Sequence, residues 1–163
     1  MSSKMRVGIG YDVHPLASGR RLVLGGVDIP FHKGLNGWSD ADVLTHAIID
    51  ALLGAAALGD IGSHFPPGEP QYKDISSLTL LERVRDELVE NSWQVVNVDA
   101  TIVAERPKLR DFIDQMRRQL SRTLGIALNQ VGVKASTSAQ LGFVGQGEGI
   151  AACAVALIES ISD

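Results

Sequence analysis

The chain of 163 residues is poor in the features that mark whole classes of protein. It holds one cysteine, Cys153, so no disulfide can form within it, and a reducing, cytoplasmic setting is expected. Cys153 lies in the apolar run from Ile150 to Ile158 with no charged neighbour to stabilise a thiolate, and reads as a small core hydrophobe rather than a nucleophile. That run falls short of the roughly 18–20 apolar residues that cross a bilayer. The stretch from Met1 to Val7 also lacks a signal peptide's apolar segment, so neither membrane insertion nor export is expected. A basic surplus is missing as well. Fifteen Lys and Arg stand against 19 Asp and Glu, a net charge of -4, which argues against a nucleic-acid partner but leaves room for a local pocket for a small phosphorylated ligand. Six prolines, with 45% apolar and 21% charged residues, exclude a disordered, collagen-like or low-complexity chain. What remains is one globular domain, placed at residues 5–160, behind an extension at residues 1–4, because a second methionine, Met5, opens a clean strand pattern.

From Met5 to Val13 the residues Val7, Ile9, Tyr11 and Val13 alternate as in a strand, and Arg21 to Ile29 is a second extended stretch broken by Gly25-Gly26. Ser39-Asp-Ala-Asp42 reads as a capping box for a helix running from Asp40 to Leu58 and stopped by Gly59. Leu81, Val84 and Leu88 mark a second helix from Ser77 to Asn91. Trp93 to Glu105 alternates Val96, Val98, Ala100, Ile102 and Ala104 on one face. Pro107 suits the first turn of a third helix with the stripe Phe112, Met116, Leu120 and Leu124, closed by Gly125. Val131 to Ala135 and Gly149 to Ile158 complete the strands. Between them, Gly142 to Gly149 is too glycine-rich for a regular element and free enough to approach a ligand or a symmetry axis. The order β, β, α, α, β, α, β, β predicts an α+β fold, a single mixed sheet with helices on one face. Its other face, apolar and uncovered, is expected to pack against copies of the chain.

Asp12 and His14 share one face of their strand, because the pleat repeats every two residues. His46 lies on the first helix, with Asp42 and Asp50 four residues to either side and able to orient its ring. Two imidazoles and a carboxylate are an open tetrahedral zinc set; the same residues also suit an ordinary polar surface. His32 and His64 read as surface residues. Asp60, in the turn Asp60-Ile-Gly62, can accept hydroxyl donors from a polyol or cap its own backbone. The turn Ala104-Glu-Arg-Pro-Lys-Leu-Arg110 meets a helix N-terminus, where Lys108 and Arg110 would attract an anion, and Lys134-Ala-Ser-Thr-Ser138 adds a cation and hydroxyls. Two such turns point to a phosphorylated substrate.

Taken together, Gly-Tyr-Asp-Val-His14, Ser-Asp-Ala-Asp-Val-Leu-Thr-His46, the run from Asp50 to Gly62, Phe65-Pro66, Pro107-Lys108, Lys134-Ala135, Leu141-Gly-Phe143 and Gly147-Glu-Gly149 resemble the 2-C-methyl-D-erythritol 2,4-cyclodiphosphate synthase family from about Met5 to Ile158. The resemblance implies a symmetric homotrimer around a sheet-lined cavity, with active sites between subunits. It implies that 4-diphosphocytidyl-2-C-methyl-D-erythritol 2-phosphate closes to the cyclodiphosphate with loss of CMP. Asp12, His14 and His46 would hold one zinc ion per subunit, and magnesium or manganese would be a second divalent ion. Asp60, Ile61, Gly62 and Phe65 match the erythritol pocket. Ala104, Pro107, Lys108, Leu109 and Arg110 match the cytosine site, and Ser136 and Thr137 the diphosphate contacts. The catalytic positions are Thr137, as a transition-state stabiliser, and Trp38. Further substrate contacts fall at Val13, Ser39, Glu69, Ala135, Phe143 and Gln146.

Four positions depart from the family pattern. Trp38 replaces a histidine and offers only an indole donor. Ala139 replaces a glutamate that serves the second metal, which leaves that ion to phosphates and water. Pro67 replaces an aspartate for which Glu69 is a substitute, and Gln146 replaces an arginine tied to diphosphate in the trimer cavity.

Overall fold

The computed structural model describes residues 4–161. Residues 1–3 of the expected extension lie outside the described residues. The strands are β1 (Met5–Ser18), β2 (Leu22–Leu24), β3 (Val27–Ile29), β4 (Lys33–Leu35), β5 (Trp93–Val103), β6 (Val131–Ser136) and β7 (Gly149–Ser160). The helices are α1 (Val43–Ala55), α2 (Ile61–His64), α3 (Ser77–Glu90), α4 (Ile113–Leu124) and α5 (Gly142–Gly145). Five strands form one mixed sheet in the order β4-β1-β7-β5-β6, and β2 and β3 pair as a separate hairpin. The β5/β6 pair is parallel, joined by the α4 crossover, and the other pairs are antiparallel. Helices α1, α3 and α4 cover one face, so the mixed α+β reading holds.

Helix α1 lies against β1 and β7 and is buried along almost its whole length. Its approach to β1 is possible because Gly8 and Gly10 carry no side chain: a Cβ on Gly8 would sit 2.0 Å from the Ala51 carbonyl oxygen, and one on Gly10 1.9 Å from that of Ala47. These glycines alternate with Val7, Ile9 and Tyr11, which point away from the helices; Val7 is 68% and Ile9 75% exposed. Cys153, expected in the core, is exposed on this uncovered face, in register with Tyr11 and Thr101, because β7 also alternates sides.

Several local expectations need correction. Helix α1 begins at Val43 rather than Asp40, with Asp42 and not Ser39 as its cap, because Ala41 has a positive φ of 57° and the Asp40 side chain turns the backbone by accepting from Asp42 N–H. It ends before Ala57, whose φ is 59°, ahead of Gly59. The Arg21–Ile29 stretch is the β2–β3 hairpin, reversing at Gly25-Gly26. Pro107 follows a cis peptide and lies outside the helix; a 3₁₀ turn at Arg110–Phe112 leads into α4. The glycine-rich segment contains the short helix α5, capped by Leu141 in extended backbone.

Gly10→Ala is expected to destabilise the fold by at least about 3 kcal/mol through overpacking. Gly54→Ala, on α1 with no atom nearer than 3.9 Å, is expected to stabilise it by about 0.5–1 kcal/mol. Urea midpoints of the two variants check both signs.

Candidate active site

Strand β1 presents Gly8, Gly10, Asp12 and His14 to the helical side, and the tight α1 contact over the glycines carries the His46 ring to the last two. Asp12 Oδ2 lies 3.0 Å from His14 Nε2 and 3.0 Å from His46 Nδ1, and the two imidazole nitrogens are 3.2 Å apart. Asp12 and His14 are half-buried and His46 is buried.

The outer nitrogen of each ring is tied down. His14 Nδ1 donates to the Asn36 carbonyl at 3.0 Å. His46 Nε2 meets Ser77 Oγ at 2.8 Å and Ser39 Oγ at 3.2 Å. The Ser77 hydroxyl donates to Asp40 Oδ1, so its oxygen accepts from His46 Nε2–H. Both rings therefore turn a lone pair inward, toward the carboxylate. Asp42 and Asp50, expected to orient His46, serve other groups. The fully buried Asp42 carboxylate accepts from Gly25 and Gly26 N–H and from both Thr45 donors, stapling the β2–β3 turn to the start of α1. Asp50 accepts from Ile61 N–H and anchors α2. Ser77, Asp40 and Asn36 do the orienting. No spacing in the sequence reveals them, since Ser77 is 31 residues from His46 and Asn36 acts through its backbone.

Three inward lone pairs at about 3 Å repel one another unless a cation or protons stand between them. Ligands about 2.0–2.1 Å from a tetrahedral zinc ion stand about 3.3 Å apart, which matches this triangle and leaves a fourth position open. The donor set thus fits a zinc-type ion. Without a metal, burial opposes charge on Asp12, but the hydrogen bonds and charges of His14 and His46 hold its carboxyl far below the usual carboxylate range. Burial likewise disfavours a charged His14, and the Asp12 hydrogen bond and charge overcome it, leaving His14 raised above its usual 6.5.

The triad opens into a cavity of about 190 Å³ that Trp38, Ser39, Ile61, Gly62 and Phe65 also line. The Trp38 indole N–H is spent on the Glu69 carbonyl, 2.8 Å away, so the ring contributes a wall and no free donor. The Glu69 carboxylate is exposed and accepts from Gln71. Asp60 caps α2 through Ser63, the backbone use open to it from the sequence. His64 is half-buried and bridges the Leu58 carbonyl to Glu87, while His32 is exposed. A second cleft, of about 430 Å³, gathers Ala104, Pro107, Lys108, Leu109, Arg110, Ala135, Ser136 and Thr137 beside β5 and β6. It shares no residue with the first. Val13 and Phe143 border a shallow opening beside His14, and Gln146 borders another with Glu105 and Arg106. Glu105 accepts from Ser138 and Gln140 N–H and so holds the turn that carries Ala139. No second group of three metal-capable side chains occurs among the described residues, and Ala139 offers no ligand atom.

A single α+β domain with an Asp-His-His triad fit to hold a metal ion at one sheet edge and a cationic, hydroxyl-lined cleft at the other is the class these features define. The chain belongs to the YgbB family, whose model matches residues 5–159. It is 65% identical over 155 residues to the 2-C-methyl-D-erythritol 2,4-cyclodiphosphate synthase of Dehalococcoides mccartyi strain CBDB1, covering 95% of this chain and 99% of that protein. Among solved structures, the bifunctional IspDF of Campylobacter jejuni superposes with a TM-score of 0.95 at 37% identity; the match covers 99% of this chain and 44% of the other. The IspF of Plasmodium falciparum in complex with CDP gives 0.86 at 29% identity, covering 99% and 100%.

Metal binding must expel the proton that Asp12 helps His14 to keep, so zinc affinity is expected to rise with pH, by about tenfold per pH unit for each proton released. The metal-free protein responds differently. The lowered Asp12 stabilises the fold above pH 3.8 and loses that contribution as pH falls through its folded value, while the raised His14 stabilises it below pH 6.5 and loses that as pH rises through its own. Chelator competition at neutral and alkaline pH, and urea unfolding of the metal-free protein from strongly acidic pH up to about pH 9, check the two dependences.

Proposed function

We propose that this chain converts 4-diphosphocytidyl-2-C-methyl-D-erythritol 2-phosphate to 2-C-methyl-D-erythritol 2,4-cyclodiphosphate and CMP, as a phosphorus-oxygen lyase of non-mevalonate isoprenoid biosynthesis. The observation that carries the reading is the Asp12–His14–His46 triangle, with the outer nitrogen of each histidine already bonded and an open cavity before it. In the reaction an oxygen of the substrate's 2-phosphate forms a bond to the β-phosphorus. The bond from that phosphorus to the bridging oxygen breaks, and CMP leaves with the oxygen. The substrate supplies its own nucleophile, so the protein's task is to hold two anionic groups together and stabilise the charge between them.

Asp12, His14 and His46 would hold one zinc ion per subunit. When bound, that ion supplies Lewis acidity to a phosphate oxygen. Ile61 and Gly62, at the N-terminus of α2, with Asp60 and Phe65, would receive the erythritol. The cleft between Ala104 and Thr137 would take the cytidine. Its Lys108 and Arg110 would face anionic charge, and the Ser136 and Thr137 hydroxyls would donate to the diphosphate, with Thr137 supporting the transition state. Trp38, its N–H occupied, would shape the first cavity and bond no phosphate; the Ser39 backbone is left for that role. The residues present do not fit a protein-held second ion, because Ala139 has no ligand atom. A magnesium or manganese ion there would arrive with the diphosphate.

In one chain the two half-sites lie toward opposite sheet edges, since β1 is paired over most of its length only with β7, and β6 only with β5. A substrate engaging both would bridge two subunits. With the exposed apolar face of β1 and β7, this supports an assembly of copies of the chain; we propose that it is the homotrimer the family resemblance implies, acting in the cytoplasm.

Incubation with the cytidylyl substrate, zinc and magnesium is expected to release CMP, seen by chromatography, and to give the cyclic diphosphate by phosphorus NMR. A linear product without a ring would overturn the reading in favour of a phosphohydrolase. His46→Ala is expected to lower CMP release by roughly 1,000-fold or more. Light scattering at micromolar concentration is expected to give the mass of three chains.

A further inference from the structure

Arg20 lies in the turn between β1 and β2, and its guanidinium reaches away from the surface into the segment 35–39. Nε donates to the Leu35 carbonyl at 3.1 Å, and Nη2 donates to Gly37 at 3.3 Å and to Ser39 at 3.0 Å. The chain bends at residues 37–39 once β4 has ended, and one planar fork gathers the three alternate carbonyls. The intervening carbonyls face other partners: that of Asn36 accepts from His14 Nδ1, and that of Trp38 accepts from Asp74 N–H. Asp74 in turn pairs with Arg20 across 3.6 Å. Beyond Leu35, where β4 ends, Asn36 N–H still donates to the Pro15 carbonyl of β1 at 2.9 Å, while residues 37–39 join no strand, so their geometry rests on the Arg20 fork and on the bond from Asp74 N–H to the Trp38 carbonyl.

The segment also lies against the metal triad. A Cβ on Gly37 would come within 3.1 Å of His14 Cε1 and Nδ1, and Ser39 Oγ meets His46 Nε2. It therefore touches both imidazoles, the one through Asn36 O and Gly37, the other through Ser39. We infer that Arg20 is a positioning residue for the metal centre, clamping segment 35–39 so that His14 and His46 keep their inward lone pairs aligned. The inference rests on the metal reading of Asp12, His14 and His46. Arg20 touches neither the triad nor the cavity before it, and it acts only through the backbone it holds.

The test uses the whole chain, loaded with zinc or cobalt. Zinc affinity is read by competition with a chromophoric chelator, and ligand geometry by the visible absorption of bound cobalt. Arg20→Met is expected to weaken zinc binding about 10- to 100-fold and to change the cobalt spectrum. Arg20→Lys, which keeps the charge and stem but not the fork, should fall short of rescue. Arg85→Met, which removes a guanidinium bound to the Thr123 carbonyl, should change neither reading. Wild-type affinity with an unaltered cobalt spectrum in Arg20→Met would overturn the inference. So would loss of the fold, by circular dichroism, in both Arg20 variants, since Arg20 would then serve the fold as a whole. A wild-type protein that takes up neither metal would instead sink the metal reading beneath it.

Discussion

The contact of helix α1 with two glycines of β1 is the constraint on which the site depends. Gly8 and Gly10 let the helix backbone come as close to the strand as main-chain atoms allow, and any side chain there would meet a carbonyl oxygen. Ala47 and Ala51 receive the strand, and His46 stands beside the first of them. The Asp42 staple fixes the start of the same helix against the β2–β3 turn. A helix set farther out by the usual side-chain layer would leave the His46 ring short of Asp12. The core packing that stabilises the domain and the convergence of the triad are thus one feature of the fold.

Convergence alone would not make a ligand set. Histidine presents a lone pair or a proton depending on where its other nitrogen is bound. Here the outer positions are decided by groups outside the triad: a backbone carbonyl for His14, and a serine whose own proton is committed to Asp40 for His46. The inward faces are left electron-rich at about 3 Å, a state unfavourable in an apo protein without bound protons and favourable once a dication is present. The lowered Asp12 and raised His14 are the metal-free expression of the same crowding. Ser39, Gly37 and Asn36 add a strap that touches both rings.

Much of this was legible in the sequence. Trp93 to Val103 and Ser77 to Glu90 have the period and end signals of their elements, and the pleat places Asp12 beside His14. The face of β1 was harder to read. Apolar alternation ordinarily marks the buried side of a strand, yet Val7 and Ile9 point outward while the glycines take the helix. The same inversion puts Cys153 on the open face. Carboxylates four residues from His46 looked like its natural partners, but Asp42 was already committed to four donors as a cap and staple. The groups that do orient the rings act through backbone carbonyls or from distant helices, and such contacts leave no pattern of residue types. The motifs of the family resemblance mark Asp12, His14 and His46, and the contacts of Asn36, Ser77 and Asp40 explain how the two rings are held.

The uncovered sheet face is uneven. Its β1 and β7 side carries Val7, Ile9, Tyr11 and Val155, while its β5 and β6 side carries Asp99 paired with Lys134. The triad lies toward the apolar edge and the hydroxyl-lined cleft toward the charged one. An isologous pairing of two chains would set like edges together and bring triad to triad. A heterologous contact, apolar edge of one chain to charged edge of the next, would set each triad against a neighbour's cleft, and such contacts close a ring when the rotation allows. Lys134 makes this choice more than geometric. Its ion pair with Asp99, 2.7 Å long, lies on the open face, and Lys134 also borders the cleft, so a neighbour covering that face would desolvate the pair beside the cleft. Assembly and ligand binding would then draw on the same few residues.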